Sequence, residues 1–125
     1  GFKFELEDID NEAFIPEECM KTDSVEAFYK KISENEAHFQ GIYAKASTEN
    51  KRLKYVATFD KGKASVGLKE IPSDHPFYNL EGKDNIVLFY TNRYNEQPLV
   101  IKGAGAGAGV TASGIFADIM KIANS

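Results

Sequence analysis

The 125 residues contain one cysteine, no tryptophan and four prolines. A single cysteine excludes a disulfide within the chain and a zinc site built from several cysteines. It fits a reducing compartment, and we expect a cytoplasmic protein. No apolar run approaches the roughly 20 residues that span a bilayer. The start of the chain lacks an apolar stretch; Lys3, Glu5, Glu7, Asp8 and Asp10 stand there, so no signal peptide is expected. An excess of positive charge is also absent. Fifteen basic against nineteen acidic residues leave a net charge of −4. That disfavours binding driven by nucleic-acid phosphates and attraction to an anionic membrane, so neither partner is expected.

What is present describes an ordinary folded domain. Hydrophobic residues make up 42% and charged residues 27%, which excludes disorder for the bulk of the chain. Nine Phe and six Tyr supply the large apolar surface.

Periodicity divides the chain. Phe2 to Glu7 alternates apolar and charged and predicts a strand, which Ile9 could extend. Pro16 interrupts it, and Glu17 to Thr22 reads as a connection. Asp23 is a candidate helix cap with Glu26 three residues on, and Val25, Phe28, Tyr29 and Ile32 form one stripe. A second helix is expected from Glu36 to Ser47, with Phe39, Ile42, Tyr43 and Ala46 on one face. Both helices should pack on a sheet. Leu53 to Phe59 and Ala64 to Leu68 alternate around Asp60-Lys61-Gly62-Lys63, a β-hairpin that ends at Pro72. Ser73 to Gly82 reads as a loop. Asn85 to Thr91 is apolar almost throughout, which predicts a strand buried on both faces. Leu99 to Ile101 is a last strand, and a helix is expected from Val110. The fold class is α+β, a mainly antiparallel sheet with two short helices near the N-terminus and one C-terminal helix.

Few residues suggest chemistry. The run Gly103 to Gly109, between a strand and a helix, leaves its backbone open to a ligand, and helix N–H groups favour an anion. Gly107-Ala108-Gly109-Val110-Thr111-Ala112 fits a relaxed dinucleotide turn, yet a second strand and an acidic residue about 20 positions on do not follow. The other reading of the run is a low-complexity hinge or a close strand-to-helix packing turn. Asp74-His75 could pair as acid and base, or His75 could anchor a turn. His38 falls in a helix. Asp8, Asp10 and Glu12 lack calcium-loop spacing. Cys19 reads as a small packing residue, and Tyr90, Arg93 and Tyr94 as strand packing or interface.

The segment Pro98-Leu99-Val100-Ile101-Lys102-Gly103-Ala104-Gly105-Ala106-Gly107, followed by Val110-Thr111-Ala112-Ser113-Gly114-Ile115-Phe116-Ala117-Asp118, closely resembles the C-terminal end of homoserine dehydrogenases. Their pattern there is P-L-V-I-x-G-x-G-A-G-x-x-V-T-A-x-G-V-x-x-D. Asn50 to Val56 is similar to the family's G-K-V-L-R-Y-V strand. His75-Pro76-Phe77 and Gly82-Lys83-Asp84-Asn85 resemble its H-P-F…G-x-D-N loop, and Leu6 to Pro16 resembles the segment after its catalytic helix. In style the N-terminal half is nearest to bifunctional aspartokinase–homoserine dehydrogenases.

The resemblance implies part of an enzyme that interconverts L-aspartate 4-semialdehyde and L-homoserine with NADP or NAD, in threonine and methionine biosynthesis. The family's Rossmann fingerprint and catalytic lysine have no counterpart here, so no catalytic residue is carried over and the chain alone is expected to be inactive. One ligand role does carry over. Gly107 matches the glycine beside the dinucleotide, and Gly105, Ala106, Val110 and Thr111 would complete the turn. Gly109 departs from the family pattern, where a larger or polar residue is frequent. By the same resemblance, residues 1–52 would end the catalytic and substrate segment. Residues 53–102 would form a dimerisation sheet that joins two copies. Residues 103–125 would return to a nucleotide-binding domain absent from these 125 residues, with the last helix packed on it. A non-catalytic module that binds a small molecule or only dimerises is the alternative.

Overall fold

A computed structural model describes residues 2–3 and 5–124. The chain divides into two compact units, residues 1–78 and 79–125, each described here by itself.

The first unit holds three helices and three strands. A 3-10 turn at Leu6–Asp8 leads into β1 (Ile9–Glu12). α1 (Glu17–Met20), α2 (Val25–Glu34) and α3 (Glu36–Thr48) follow, then β2 (Arg52–Asp60) and β3 (Lys63–Ile71). The sheet order is β1-β3-β2. β2 and β3 form the expected hairpin, from Arg52 opposite Ile71 to Asp60 opposite Lys63. Lys61 and Gly62 turn it with φ of 47° and 81°. Two successive positive φ values make a turn whose twist matches the strands it joins.

The strand expected over Phe2–Glu7 lies elsewhere. Leu6 and Glu7 coil because the Asp8 carboxylate accepts the Glu5 N–H at 3.0 Å, and pairing begins only at Ile9. Phe4 lies outside the described residues. β1 then runs parallel to β3, with Ile9 opposite Ala64 and Glu12 opposite Gly67. Gly67 permits this approach, since a Cβ there would stand 2.7 Å from that of Glu12. Lys69 holds the same strand by bonding both Glu12 carboxylate oxygens at 2.5 and 2.6 Å.

Glu17 to Thr22 is not a plain connection: its first four residues form α1, which buries Cys19. The cap of α2 is Ser24, not Asp23. Ser24 is extended (φ −149°, ψ 159°), and its Oγ accepts the Ala27 N–H at 3.1 Å. That is the oxygen-to-third-residue reach a cap requires. α3 matches its expected span and lies against β2, while α2 packs on α1 and α3. In the hairpin, directly opposed residues share a face. Leu53, Tyr55, Ala57 and Phe59 therefore stand beside Glu70, Leu68, Val66 and Ala64. Phe14 reaches Tyr55 on that face, with ring centroids 6.3 Å apart.

The second unit is a two-stranded antiparallel sheet of β4 (Asp84–Phe89) and β5 (Leu99–Ala104), followed by α4 (Ala108–Ala123). β4 is not buried on both faces. Its burial alternates, and Val87 and Phe89 are 48% and 44% exposed. Its apolar composition exceeds what one partner strand can cover. β5 continues past Ile101 to Ala104, so Gly103 and Ala104 are strand. α4 starts at Ala108, ahead of the expected Val110.

Among the described residues the buried hydrophobics are Cys19, Ala46 and Ile71. Large hydrophobics such as Phe116 and Ile122 are left exposed.

Candidate functional site

The Gly–Ala run shrinks in the structure to a three-residue loop, Gly105-Ala106-Gly107, between β5 and α4. Antiparallel pairing sets its position. Asp84 lies opposite Ala104, and the ladder closes with the Gly105 N–H donating to the Lys83 carbonyl at 3.0 Å. A Cβ on Gly105 would stand 2.1 Å from Asn85 Nδ2, so only glycine fits there without displacing Asn85.

Gly107 caps α4 with φ 130° and ψ 154°, a conformation that L side chains rarely adopt. It is half-buried. A Cβ on it would meet Lys83 Nζ at 2.8 Å. No side chain caps α4, so the first N–H groups of this sixteen-residue helix point out of its end with their partial positive charge. The Thr111 N–H returns to the Gly107 carbonyl at 3.1 Å. The structure thus brings Gly105, Ala106, Gly107, Val110 and Thr111 to one loop and first helical turn. Val110 is 47% exposed.

Sequence reasoning does not reach the roles of Lys83 and Asn85. Their signal is the β4–β5 register. Pairing the two apolar runs end to end places residues 83–85 opposite 103–105.

The other candidates have structural occupations. His75 Nδ1 accepts the Phe77 N–H at 3.1 Å, so it anchors a turn and does not engage Asp74. His38 Nε2 meets the Phe14 carbonyl at 2.9 Å, a contact in which the ring nitrogen donates. Asp8 caps the 3-10 turn and Glu12 pairs with Lys69. Among the described residues no cluster of His, Cys, Asp and Glu could hold a metal ion. Cys19 is fully buried, and the Asn35 amide lies 3.7 Å from its sulfur. Tyr94 closes a loop through its N–H, donated to Thr91.

A cleft of about 580 Å³ opens where α3 meets β2, lined by Tyr43, Lys51, Arg52 and Tyr78 among others. Its cations are already engaged. Lys51 pairs with Glu49 and Glu70, and the Arg52 guanidinium lies 4.5 Å above the Tyr78 ring while donating to its carbonyl. The Tyr78 hydroxyl bonds Asn50 Oδ1 at 3.2 Å. This cluster ties the 72–78 loop to the helix–strand junction.

A strand, a short glycine loop and an uncapped helix beside a lysine make up the candidate site. Known proteins place the chain in a family. The homoserine dehydrogenase family model matches residues 1–120, and the chain belongs to that family. It is 39% identical over 125 residues to bifunctional aspartokinase/homoserine dehydrogenase 1, chloroplastic, of Arabidopsis thaliana, covering 98% of this chain and 14% of that protein. It is 38% identical to homoserine dehydrogenase of Saccharomyces cerevisiae, covering 90% of this chain and 32% of that protein. A crystal structure of a Candida auris protein of unknown function superposes with a TM-score of 0.77 at 41% identity, covering 93% of this chain and 33% of that one. The chain therefore spans about a seventh to a third of these relatives. No helix among the described residues is long and apolar enough to cross a membrane.

Proposed function

We propose that this chain is the C-terminal part of a homoserine dehydrogenase, which interconverts L-aspartate 4-semialdehyde and L-homoserine with a nicotinamide dinucleotide, NADP or NAD. In this reading the Gly105–Thr111 turn lies against the dinucleotide. The observation that carries it is Gly107: half-buried, at φ 130°, capping a helix with no side chain of its own. Those features fit a diphosphate-bearing group. The backbone can be approached closely, and both the helix end and Lys83 favour negative charge. When bound, the nicotinamide supplies or accepts the hydride. The residues here hold the dinucleotide and exclude side chains from its space; none is assigned to proton transfer.

The same reading gives residues 1–52 to the end of the catalytic and substrate segment and residues 53–102, which supply β2 and β3 to one sheet and β4 and β5 to another, to the region that joins two copies. Residues 103–125 return to the nucleotide-binding domain. Exposed Val87, Phe89, Leu99 and Ile101 support a partner over β4 and β5, because a two-stranded sheet is marginal by itself. Ile115, Phe116, Ile119 and Ile122 of α4 are each more than half exposed, which supports cover by another domain. The threonine and methionine pathways and the cytoplasm complete the proposal, although the plant relatives carry the word chloroplastic in their names.

Two measurements test it. In the complete enzyme, Gly107→Val should raise the cofactor KM on the order of tenfold or more, a loss of about 1.4 kcal/mol or more. An unchanged KM removes Gly107 from the site. The isolated chain should show no turnover of homoserine with NADP or NAD, and clear activity would show that its own residues suffice for the chemistry.

A further inference from the structure

Lys83 carries an inference that the family pattern does not supply. Its backbone is fixed by the bond from the Gly105 N–H at the end of the β4–β5 ladder. Its side chain then lies along Gly107. Nζ, Cε and Cδ stand 2.8, 3.5 and 3.6 Å from the position of a Cβ on that glycine. The ammonium thus occupies the space that the missing side chain leaves, next to the uncapped end of α4. Its acidic neighbour Asp84 faces Lys102 at 3.7 Å, and among the described residues no carboxylate forms an ion pair with Lys83. The Lys83 side chain is exposed at the loop and makes no ion pair among the described residues.

We propose that Lys83 is a cofactor-binding residue, whose ammonium donates to a phosphate oxygen of the dinucleotide's diphosphate. This rests on the reading that the Gly105–Thr111 turn lies beside the dinucleotide. The diphosphate is favoured over the 2′-phosphate of NADP because the ammonium and the helix end converge on the same glycine. An anion there accepts from both. The contact orients the cofactor and takes no part in hydride or proton transfer.

The test is direct titration of NADPH and NADH into the complete enzyme, followed by nicotinamide fluorescence at low and high salt. Lys83→Met should weaken both cofactors about tenfold, the size of a charge-assisted hydrogen bond. It should also flatten the salt dependence of binding. Lys83→Arg should retain most of the affinity. Thermal melting of the variants, unchanged from the parent, separates lost contact from lost fold. Parental affinity and salt dependence in Lys83→Met overturn the proposal. A loss confined to NADPH overturns the diphosphate assignment. Gly107→Val, measured in parallel, keeps the two ideas apart. If it weakens binding while Lys83→Met does not, only the Lys83 contact falls. If neither variant changes affinity, the dinucleotide reading of the loop falls with it.

Discussion

Glu70 sits between two ammonium groups. Lys45 Nζ donates to one carboxylate oxygen at 2.7 Å, and Lys51 Nζ lies 3.5 Å from the other. The hydrogen bond from Lys45 is the largest cause that holds the Glu70 carboxyl below the ordinary glutamate value of 4.5; desolvation opposes it, and the charges of Lys45 and Lys51 add to it. The same contact raises Lys45 above its ordinary 10.5. The signs give opposite pH limits. A depressed carboxyl stabilises the fold above its unfolded pKa and loses that contribution as pH falls through the folded value. A raised lysine stabilises below its unfolded pKa and loses it as pH climbs through the folded value. Glu70→Gln should therefore lower stability at neutral pH slightly and flatten the acid limb below about pH 4.5. Parallel melting curves from neutral pH to acid check this. A variant with the parent's pH slope would show that the pair contributes nothing, as exposed pairs sometimes do. None of this triad was legible in the sequence. Glu70 and Lys45 are 25 positions apart, and only the packing of α3 on the hairpin brings them together.

At the scale of elements, local chemistry was the most readable. The hairpin was evident from two alternating runs around Lys61-Gly62, because strand period and turn chemistry are both properties of adjacent residues. α3 was evident for the same reason. Ends were less readable. Asp23 and Ser24 are both good caps, and the sequence alone favoured Asp23 with Glu26. The structure selects Ser24, whose Oγ reaches Ala27. Ser24→Ala should cost about 1 kcal/mol, whereas Asp23→Ala should be nearly neutral. Urea unfolding of the two variants distinguishes them, and equal effects would mean that the cap is shared. β1 begins later than the alternation predicts because its partner is parallel and distant. The alternation of Phe2–Glu7 is genuine, but a turn fixed by Asp8 takes part of it. Gly67, unremarkable in sequence, is where β1 can come close to β3.

At the scale of the whole molecule, the surface decides. Among the described residues few hydrophobics are buried, and the exposed apolar side chains form faces that need cover. Val87, Phe89 and Ile101 on one sheet and Ile115, Phe116 and Ile119 on α4 are such faces. Produced alone, the chain should self-associate or bind a hydrophobic dye strongly. Sedimentation across concentration, with dye fluorescence, measures both. A strictly monomeric chain that binds no dye would contradict the cover that the family reading supplies. The apolar run of β4 predicts a strand buried on both faces. Within its own unit it is not, since one partner strand covers a limited area.

The sequence by itself determined the elements whose causes are local: the hairpin and its turn, α3, α4 nearly to its start, and the glycine run between strand and helix. It also carried the family, because the Pro98–Asp118 pattern is contiguous. Tertiary structure alone decided the parallel β1–β3 pairing, the cap at Ser24, the Glu70 triad and the convergence of Lys83 and Asn85 on Gly105 and Gly107. Each of these joins residues distant in the chain or chooses between adjacent equals. Register and packing fix such contacts, and neither is a property of neighbouring residues.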